Sequence, residues 1–316
     1  MSHTLLKQIH MPAVSIIIPT YNRAHLIGQS LDSVFSQTFQ DFEIIVVDDG
    51  STDHTEKVLA RYKDRIRYIK QDNAGVSAAR NRGILASTGD FIGFLDSDDL
   101  WMPTKLAKQV ALLRERPDIH LCYTDLYQAR EPTEKPCKTL FDLVAFRGNT
   151  LLTTLLMQSP ILIPSVIFRR EILTSVGLFD TALISAEDFD FLLRIAAKYK
   201  CAYIDECLVF VREHAQRSLR AADYRMCYSK MKADNIQLAR WKGILPAEDY
   251  LELQQHASRS MEGFAWRLRK DGRIREAGKM FMKAAGVGKG HRILYGRGLL
   301  LYLCPWVARI KDLLRS

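Results

Sequence analysis

The 316-residue sequence lacks several features that would define its class at once. Its six cysteines contain no C-x-x-C pair, so neither a structural zinc site nor a disulfide framework is expected. No stretch approaches the ~20 apolar residues that span a bilayer. The N-terminal segment MSHTLLKQIH has no apolar core of a secretory signal. We therefore expect a protein of the reducing cytoplasm.

Two common catalytic patterns are also missing. The segment Gly286–Gly290 is too short for the phosphate loop G-x-x-x-x-G-K-[ST], so ATP hydrolysis is not expected. No arrangement of serine, histidine and aspartate indicates a nucleophilic triad. The composition itself is globular, with 47% hydrophobic and 26% charged residues, which excludes a disordered or collagen-like chain.

Charge is unevenly distributed along the chain. Residues 213–316 carry 21 lysines and arginines against 10 aspartates and glutamates, whereas residues 1–212 carry 24 against 26. Such an asymmetry predicts two parts with different roles. We place a larger domain at 12–220 and a basic helical region at 221–316.

Strand-like and helix-like segments alternate from residue 14 to residue 116. Short β-branched runs predict buried strands, and apolar residues at helical spacing predict the helices between them. The predicted strands are 14–18, 42–47, 66–70 and 91–95, and the predicted helices are 24–37, 55–63, 76–87 and 101–116. We therefore predict an α/β fold with a doubly wound, mostly parallel sheet, followed by a C-terminal helical region.

Polar turns follow the predicted strands, and in parallel sheets ligands bind at the carboxyl ends of the strands. Asp96 and Asp98 follow the strand 91–95, where both can reach one divalent cation. Carboxylate oxygens suit a hard ion such as Mg²⁺ or Mn²⁺, which also binds phosphate oxygens. A solvated acidic turn is the alternative, but the place at the end of a buried strand favours the metal site.

The turns after the second and third predicted strands offer further ligands. Asp49 can accept the N–H of a nucleobase, or it can cap the helix that follows. Gly75 permits a close approach of the backbone, and Arg80 can bind a phosphate through its planar guanidinium group. An ordinary surface turn and a surface arginine are the alternatives.

The chain is less regular after residue 117. The segment 117–165 contains five prolines and predicts an irregular surface excursion beside the acceptor. Glu187 and Asp188 begin a predicted helix at 186–199, where a carboxylate serves either as a general base or as a partner of the helix dipole. His214 follows the strand-like run 207–211 and is either structural or a ligand to a metal or diphosphate.

Four motifs in order resemble those of the family 2 glycosyltransferases of the A-type fold. They are VSIIIPTYNR at 14–23, VVDDGSTD at 46–53, NAGVSAARN at 73–81 and FLDSDD at 94–99. The resemblance extends over residues 12–215, and it is specific for the family but not for the substrate. It implies an inverting transferase that uses a nucleoside diphosphate sugar, with UDP-sugars favoured, and Mn²⁺ or Mg²⁺.

The resemblance also implies roles for single residues in donor binding. Pro19, Tyr21 and Asp49 would line the nucleoside pocket, with Asp49 at the base. Asn73 and Arg80 would lie near the ribose and the diphosphate.

Further implied roles concern the metal and the proton transfer. Asp96 and Asp98 would form the family's D-x-D pair, with Asp98 as the more direct metal ligand and Asp99 as a third candidate. Glu187 and Asp188 match the family's acidic pair, and Asp188 would be the general base. The segment from Arg212 to His214 matches the family's R-x-H element, which adds His214 as a metal ligand. The neighbours Glu213 and Arg217 make this element more charged than is usual in the family.

The basic C-terminal region permits two interpretations. Cations beside apolar positions, and the apolar run 298–310 that Pro305 interrupts, are typical of a segment lying on an anionic membrane surface. A helical cap packed on the catalytic domain is the alternative. The first interpretation predicts peripheral contact with the inner face of the plasma membrane. Nucleic acid is not an expected partner, because no recognised nucleic-acid-binding module accompanies the cations.

These observations together predict a transferase for a saccharide or lipid-linked saccharide acceptor, in the synthesis of a surface polysaccharide or glycolipid. A nucleotidyltransferase of related layered fold is the first alternative, although its glycine-rich loop is replaced here by Pro-Thr-Tyr-Asn-Arg at 19–23. A non-catalytic sugar-nucleotide-binding protein is the second. The intact carboxylates of Asp96, Asp98 and Asp188 argue against it.

Overall fold

The structure is a computed structural model that describes residues 11–130, 132, 161–183, 186–213, 224–288 and 292–303. These residues fall into two compact units. The first contains the described residues up to 132 together with Ile161–Phe179 and Tyr199–Glu213. The second contains the described residues of 180–198 and of 224–303.

The first unit is built on a sheet that has eight strands within the described residues. They are β1 (Val14–Thr20), β2 (Phe42–Asp48), β3 (Arg67–Lys70), β4 (Phe91–Phe94), β5 (Leu100–Trp101), β6 (Leu121–Ala129), β7 (Val166–Arg169) and β8 (Cys201–Arg212). Their order is β3-β2-β1-β4-β7-β6-β8-β5. Parallel pairs join β1 to β2 and β4, β2 to β3, and β6 to β8. β7 runs antiparallel to β4 and β6, and β5 runs antiparallel to β8.

Helices cover both faces of this sheet. In the first unit they are α1 (Ile27–Phe35), α2 (Thr55–Leu59), α3 (Val76–Ala86), α4 (Lys105–Glu115) and α5 (Leu173–Val176). Ile44 and Val46 of β2 pack in one apolar cluster with side chains of α1 and α4. Ile45 and Val47 pack in another with Ala79 of α3. Because side chains alternate along a strand, β2 contributes to both layers.

The predicted α/β fold and the C-terminal helical region are confirmed. Each strand predicted before residue 100 is present, with ends within two residues of those expected. The sheet is mixed rather than mostly parallel beyond β4, because β7 is antiparallel to both of its neighbours.

The predicted surface excursion at 117–165 is wrong for its first part. Residues Leu121–Ala129 form β6, and the first seven of them are buried. Thr124 and Asp125 lie in this buried strand at a shift in its register with β8, so the strand has no simple apolar pattern. Residues 133–160 lie outside the described part of the chain.

The second unit is helical. Its helices are α6 (Glu187–Ala196), α7 (Tyr224–Trp241), α8 (Ala247–Lys270), α9 (Ile274–Val287) and α10 (Arg292–Leu303). Met261 and Phe264 of α8 pack with residues of α7 and α9, and Leu301 of α10 packs with Phe281 of α9. A Cβ atom added at Gly278 would lie 2.7 Å from the carbonyl oxygen of Gly298, so α9 and α10 cross closely at two glycines.

Gly83 allows a similarly close contact between α3 and β1. A Cβ atom added there would lie 2.3 Å from Cγ2 of Ile17, which is fully buried. Arg80 precedes Gly83 by one helical turn on α3. The close approach at Gly83 therefore helps to fix the position of α3, the helix that carries Arg80.

We expect Gly83→Ala to lower the free energy of unfolding by about 1–3 kcal/mol, because the added methyl group overpacks the contact with Ile17. The melting temperature of this variant, compared with those of the parent protein and of a control variant, measures this effect. Gly28→Ala in α1 is the matched control, since its nearest neighbour would be the Tyr62 hydroxyl at an ordinary 3.4 Å. That change should be neutral or stabilising by up to about 1 kcal/mol. Equal melting temperatures for the two variants would contradict the close contact.

Candidate active site

The parallel strands bring four polar loops to one edge of the sheet. In the strand register Thr20 lies opposite Asp48, and Asp48 lies opposite Lys70. The loops that follow β1, β2 and β3 therefore leave the sheet at one level. The loop after β4 leaves at the same edge, because β4 is parallel to β1. This is the edge at which open α/β sheets bind ligands.

The first two loops are joined through Asn22. Its backbone has a φ of 53°, a left-handed conformation that asparagine tolerates better than most residues. Its side-chain oxygen accepts the backbone N–H of Thr52 at 2.8 Å, and the backbone N–H of Asn22 donates to Oγ of Ser51 at 2.9 Å. The turn after β1 is thereby fixed against the turn after β2.

Asp49 orders the loop after β3. Its carboxylate accepts the side-chain amide of Gln71 at 2.8 Å and the backbone N–H groups of Ala74 and Gly75 at 2.9 and 2.8 Å. Gly75 has a φ of 90°, in the left-handed region that favours glycine. Asp49 is only 4% exposed. A carboxylate has about four lone-pair positions, so one remains for a further donor, and the predicted contact with a nucleobase stays a prediction.

Two ion pairs bring the D-x-D carboxylates together with arginines. Nη2 of Arg80 lies 3.1 Å from Oδ1 of Asp96, and Nε of Arg23 lies 3.4 Å from Oδ2 of Asp98. The carboxylate side chains are 27% and 12% exposed, respectively. Partly buried carboxylates require compensation by opposite charge or hydrogen bonds, and each arginine provides it. Arg23 belongs to the recognised motif, but its partnership with Asp98 was not predicted.

Asp99 has a different role from its two acidic neighbours. Its side chain is fully buried, and Oδ1 accepts the backbone N–H of Arg212 at 3.0 Å. Arg212, at the end of β8, donates in turn to the side-chain oxygen of Gln29 on α1 at 2.6 Å. Asp99 therefore links the acidic turn to β8, which explains its presence without a metal.

The donor set at Asp96 and Asp98 fits a hard divalent cation. Among the described residues, no three His, Cys, Asp or Glu side chains form a group that could hold a metal ion. Within the described part of the chain, two carboxylates would thus hold such an ion together with water and phosphate oxygens, as is usual for Mg²⁺. His214, the third predicted ligand, lies outside the described residues.

The remaining predicted donor residues also lie at this edge. Pro19 is buried in β1 opposite Val47, whereas Tyr21, just beyond the strand, is exposed. Asn73 is exposed in the loop that Asp49 orders. The predicted donor residues from 19 to 98 are thus all part of the first unit.

The predicted acidic pair belongs to the second unit. Glu187 and Asp188 are the first two residues of α6, and both are half-buried. Oδ1 of Asp188 accepts the backbone N–H of Phe189 at 2.8 Å. A carboxylate at a helix N-terminus lies where the helix dipole stabilises negative charge.

Comparisons with known proteins agree on one family. The family model for glycosyl transferase family 2 matches residues 15–175. An uncharacterized glycosyltransferase of Rickettsia prowazekii is 32% identical over 226 residues, which cover 68% of this chain and 69% of that protein. A shorter match, 43% identical over 102 residues, covers 32% of this chain and 40% of an Escherichia coli protein. That protein is the UDP-Glc:alpha-D-GlcNAc-diphosphoundecaprenol beta-1,3-glucosyltransferase WfgD.

Solved structures share the fold. TarS of S. aureus in complex with UDP has a TM-score of 0.66 at 19% identity, covering 92% of this chain and 88% of that one. The mannosyltransferase PcManGT of Pyrobaculum calidifontis, in complex with GDP-Man and Mn²⁺, has a TM-score of 0.57 at 22% identity. It covers 96% of this chain and 88% of that one. At such identities the likeness is one of fold.

We expect Asp49→Asn to destabilise the protein by about 1–3 kcal/mol, because an amide nitrogen would face one of the N–H donors that the carboxylate now accepts. Affinity for a nucleotide should fall as well, since the 71–75 loop loses its support. Thermal melting and titration calorimetry with UDP measure the two effects. The control is Asp72→Asn, an exposed neighbour in the same loop. A stable Asp49→Asn protein would show that the carboxylate does not order the loop.

Proposed function

Because the chain belongs to glycosyltransferase family 2, we propose that it transfers a sugar from a nucleoside diphosphate donor to an acceptor hydroxyl, with inversion of the anomeric carbon. The observation that carries this proposal is the presence of two ion pairs, Asp96–Arg80 and Asp98–Arg23, at the carboxyl edge of the sheet. Carboxylates for a cation and guanidinium groups for phosphate are the groups that a diphosphate needs.

A UDP-sugar is the donor that we propose. The partial match to WfgD, which is named for the use of UDP-Glc, supports a donor with a uridine nucleotide. The fold is also that of TarS, whose structure contains UDP. Pro19, Tyr21 and Asp49 would contact the nucleoside, and Asn73 and Arg80 would contact the ribose and diphosphate.

The proposed reaction is a single displacement. Asp188 removes the proton of the acceptor hydroxyl, with Glu187 beside it, while the oxygen attacks the anomeric carbon from the face opposite the diphosphate. The new glycosidic bond forms as the bond to the diphosphate breaks, and the electron pair leaves with the diphosphate. Arg80 and Arg23 offset the charge that develops there.

Mn²⁺ or Mg²⁺ is the proposed cofactor. Asp98 and Asp96 would hold it, and His214 is a third proposed ligand. When bound, the cation supplies positive charge next to the departing diphosphate. Such an ion binds best through oxygen ligands, which is what the two carboxylates offer.

We propose a saccharide or lipid-linked saccharide as the acceptor, in the synthesis of a surface polysaccharide or glycolipid. WfgD, by its name, glucosylates a sugar on diphosphoundecaprenol. An enzyme for such an acceptor works next to a membrane. None of the described helices is long and apolar enough to cross one.

Helix α10 is the surface that we propose for peripheral contact with an anionic membrane. Its exposed apolar side chains are Tyr295, Leu299, Leu300, Tyr302 and Leu303. Four cations of α9 and α10 are exposed on the same helical pair, at Arg275, Lys279, Lys283 and Arg297. Lys279 lies 5.5 Å from the centre of the Tyr302 ring, so positive charge directly borders the apolar surface. Apolar side chains flanked by cations favour anionic lipid.

Asp98→Asn should lower kcat/KM by about 100-fold or more, the loss that follows removal of one group that stabilises the developing charge. The variant should also lose the Mn²⁺-dependent part of the thermal shift that UDP produces. The control is Asp118→Asn, which removes an aspartate paired with Arg116 after α4. Turnover and Mn²⁺-dependent binding that survive in Asp98→Asn would refute the metal assignment.

Vesicle flotation tests the membrane contact. The protein should float with phosphatidylglycerol vesicles and not with phosphatidylcholine vesicles, and higher salt should weaken the binding because it screens charge. Leu299→Asp with Leu303→Asp should abolish flotation. The control is Leu85→Asp, which changes a leucine of α3 that is also exposed. Flotation that is unchanged by the α10 substitutions would favour the interpretation of the C-terminal region as a structural cap.

A further inference from the structure

One arginine of the C-terminal region contacts two aspartates, one on each side of Glu187 and Asp188 in the sequence. Nη2 of Arg240 on α7 lies 3.2 Å from Oδ2 of Asp180. Nη1 of the same guanidinium donates to Oδ1 of Asp190 on α6. We call Asp180, Asp190 and Arg240 the Arg240 bridge. Glu187 and Asp188 lie in the stretch of chain between the two bridged aspartates.

The Asp190 end of the bridge is buried, and N–H donors compensate the negative charge of its carboxylate. Asp190 is completely buried, and its other oxygen accepts the Nε–H of Arg194 at 3.0 Å and lies 2.9 Å from Nη2 of the same arginine. The side-chain amide of Gln237, one turn before Arg240, also donates to Asp190. Its oxygen in turn accepts the indole N–H of Trp241 at 2.9 Å. A carboxylate held by four N–H donors has little freedom, so the first turn of α6 is fixed with it.

A second contact holds the same turn. Phe189, the residue after Asp188, stacks on the ring of His256 of α8, with centroids 4.9 Å apart and an angle of 7° between the rings. On the other side of the acidic pair, Ala186 has a φ of 60°, a left-handed conformation that residues other than glycine seldom adopt. Residues in such conformations persist only where their surroundings hold them.

We propose that Arg240 is a positioning residue for the general base Asp188, so that the C-terminal helices are part of the catalytic apparatus. This inference rests on the proposed function, in which Asp188 accepts the proton. Proton transfer in the transition state depends on a well-defined geometry of the base, so a loosened segment loses turnover rather than donor affinity. Lysine cannot replace the planar guanidinium here, because one ammonium group does not match two separate carboxylates.

The test is a double-mutant cycle on the full chain, with UDP-sugar turnover measured for the parent, Arg240→Lys, Asp188→Asn and the double variant. We expect Arg240→Lys to lower kcat about tenfold, about 1.4 kcal/mol, with donor KM changed less than twofold. In the Asp188→Asn background the same change should alter the residual rate less than twofold, because the base it positions is gone. A purely structural arginine would lower both rates by the same factor, and that result would overturn the proposal.

Two variants protect the test against a folding defect. Asp180→Asn removes one arm of the bridge and leaves the buried Asp190 with its arginines, so it should fold and give the same pattern with a smaller loss. Arg267→Lys is the control, since Arg267 is 33% exposed like Arg240 but pairs with Asp271 at the end of its own helix. If Asp188→Asn keeps the parent rate, the base assignment itself is wrong and the bridge has no base to position. If Asp188→Asn lowers the rate but Arg240→Lys has the same effect in both backgrounds, the base assignment stands and only the positioning role of Arg240 is refuted.

Discussion

Charge compensation at the carboxyl edge of the sheet is the interaction on which the rest of the first unit depends. Three aspartates follow β4 within five residues, and a low-dielectric site does not hold such a group without partners. Asp96 has Arg80, Asp98 has Arg23, and Asp99 has the backbone of Arg212. These partners come from α3, from the loop after β1 and from β8. The need to balance the acidic turn therefore ties three distant segments of the chain to one place.

Much of this edge is readable from the sequence, because it follows from local pattern. The β-branched runs before residue 95 and the turns after them fix where strands end, and parallel strands end together. The partners of the carboxylates are not readable, since Arg23 and Asp98 are separated by 75 residues and no spacing rule connects them. The loop-ordering contacts of Asp49 were not predicted for a similar reason, because its partners include backbone N–H groups that become available only when the loop is folded.

The strand β6 was missed because buried polar residues interrupt its apolar pattern. Composition alone is also insufficient for the C-terminal basic region, because its cations lie in different surroundings. Arg240 is used internally between two aspartates, whereas Arg275, Lys279 and Lys283 of α9 face solvent. The net charge counts the paired arginine and the exposed cations alike. Only their different surroundings separate an arginine that stabilises the fold from one that is available to a membrane.

The position of β8 has a consequence for anyone who would isolate the recognisable part of this chain. The segment that the family model matches ends at residue 175, yet β8 lies between β6 and β5 and begins at Cys201. A fragment cut at that boundary would leave the nine residues of β6 with an open hydrogen-bonding edge. Open edges recruit strands from other molecules. Such a fragment would carry the loops proposed to bind the donor, yet it would tend to aggregate, so the limit of the family model's match is not the limit of an autonomous folding unit.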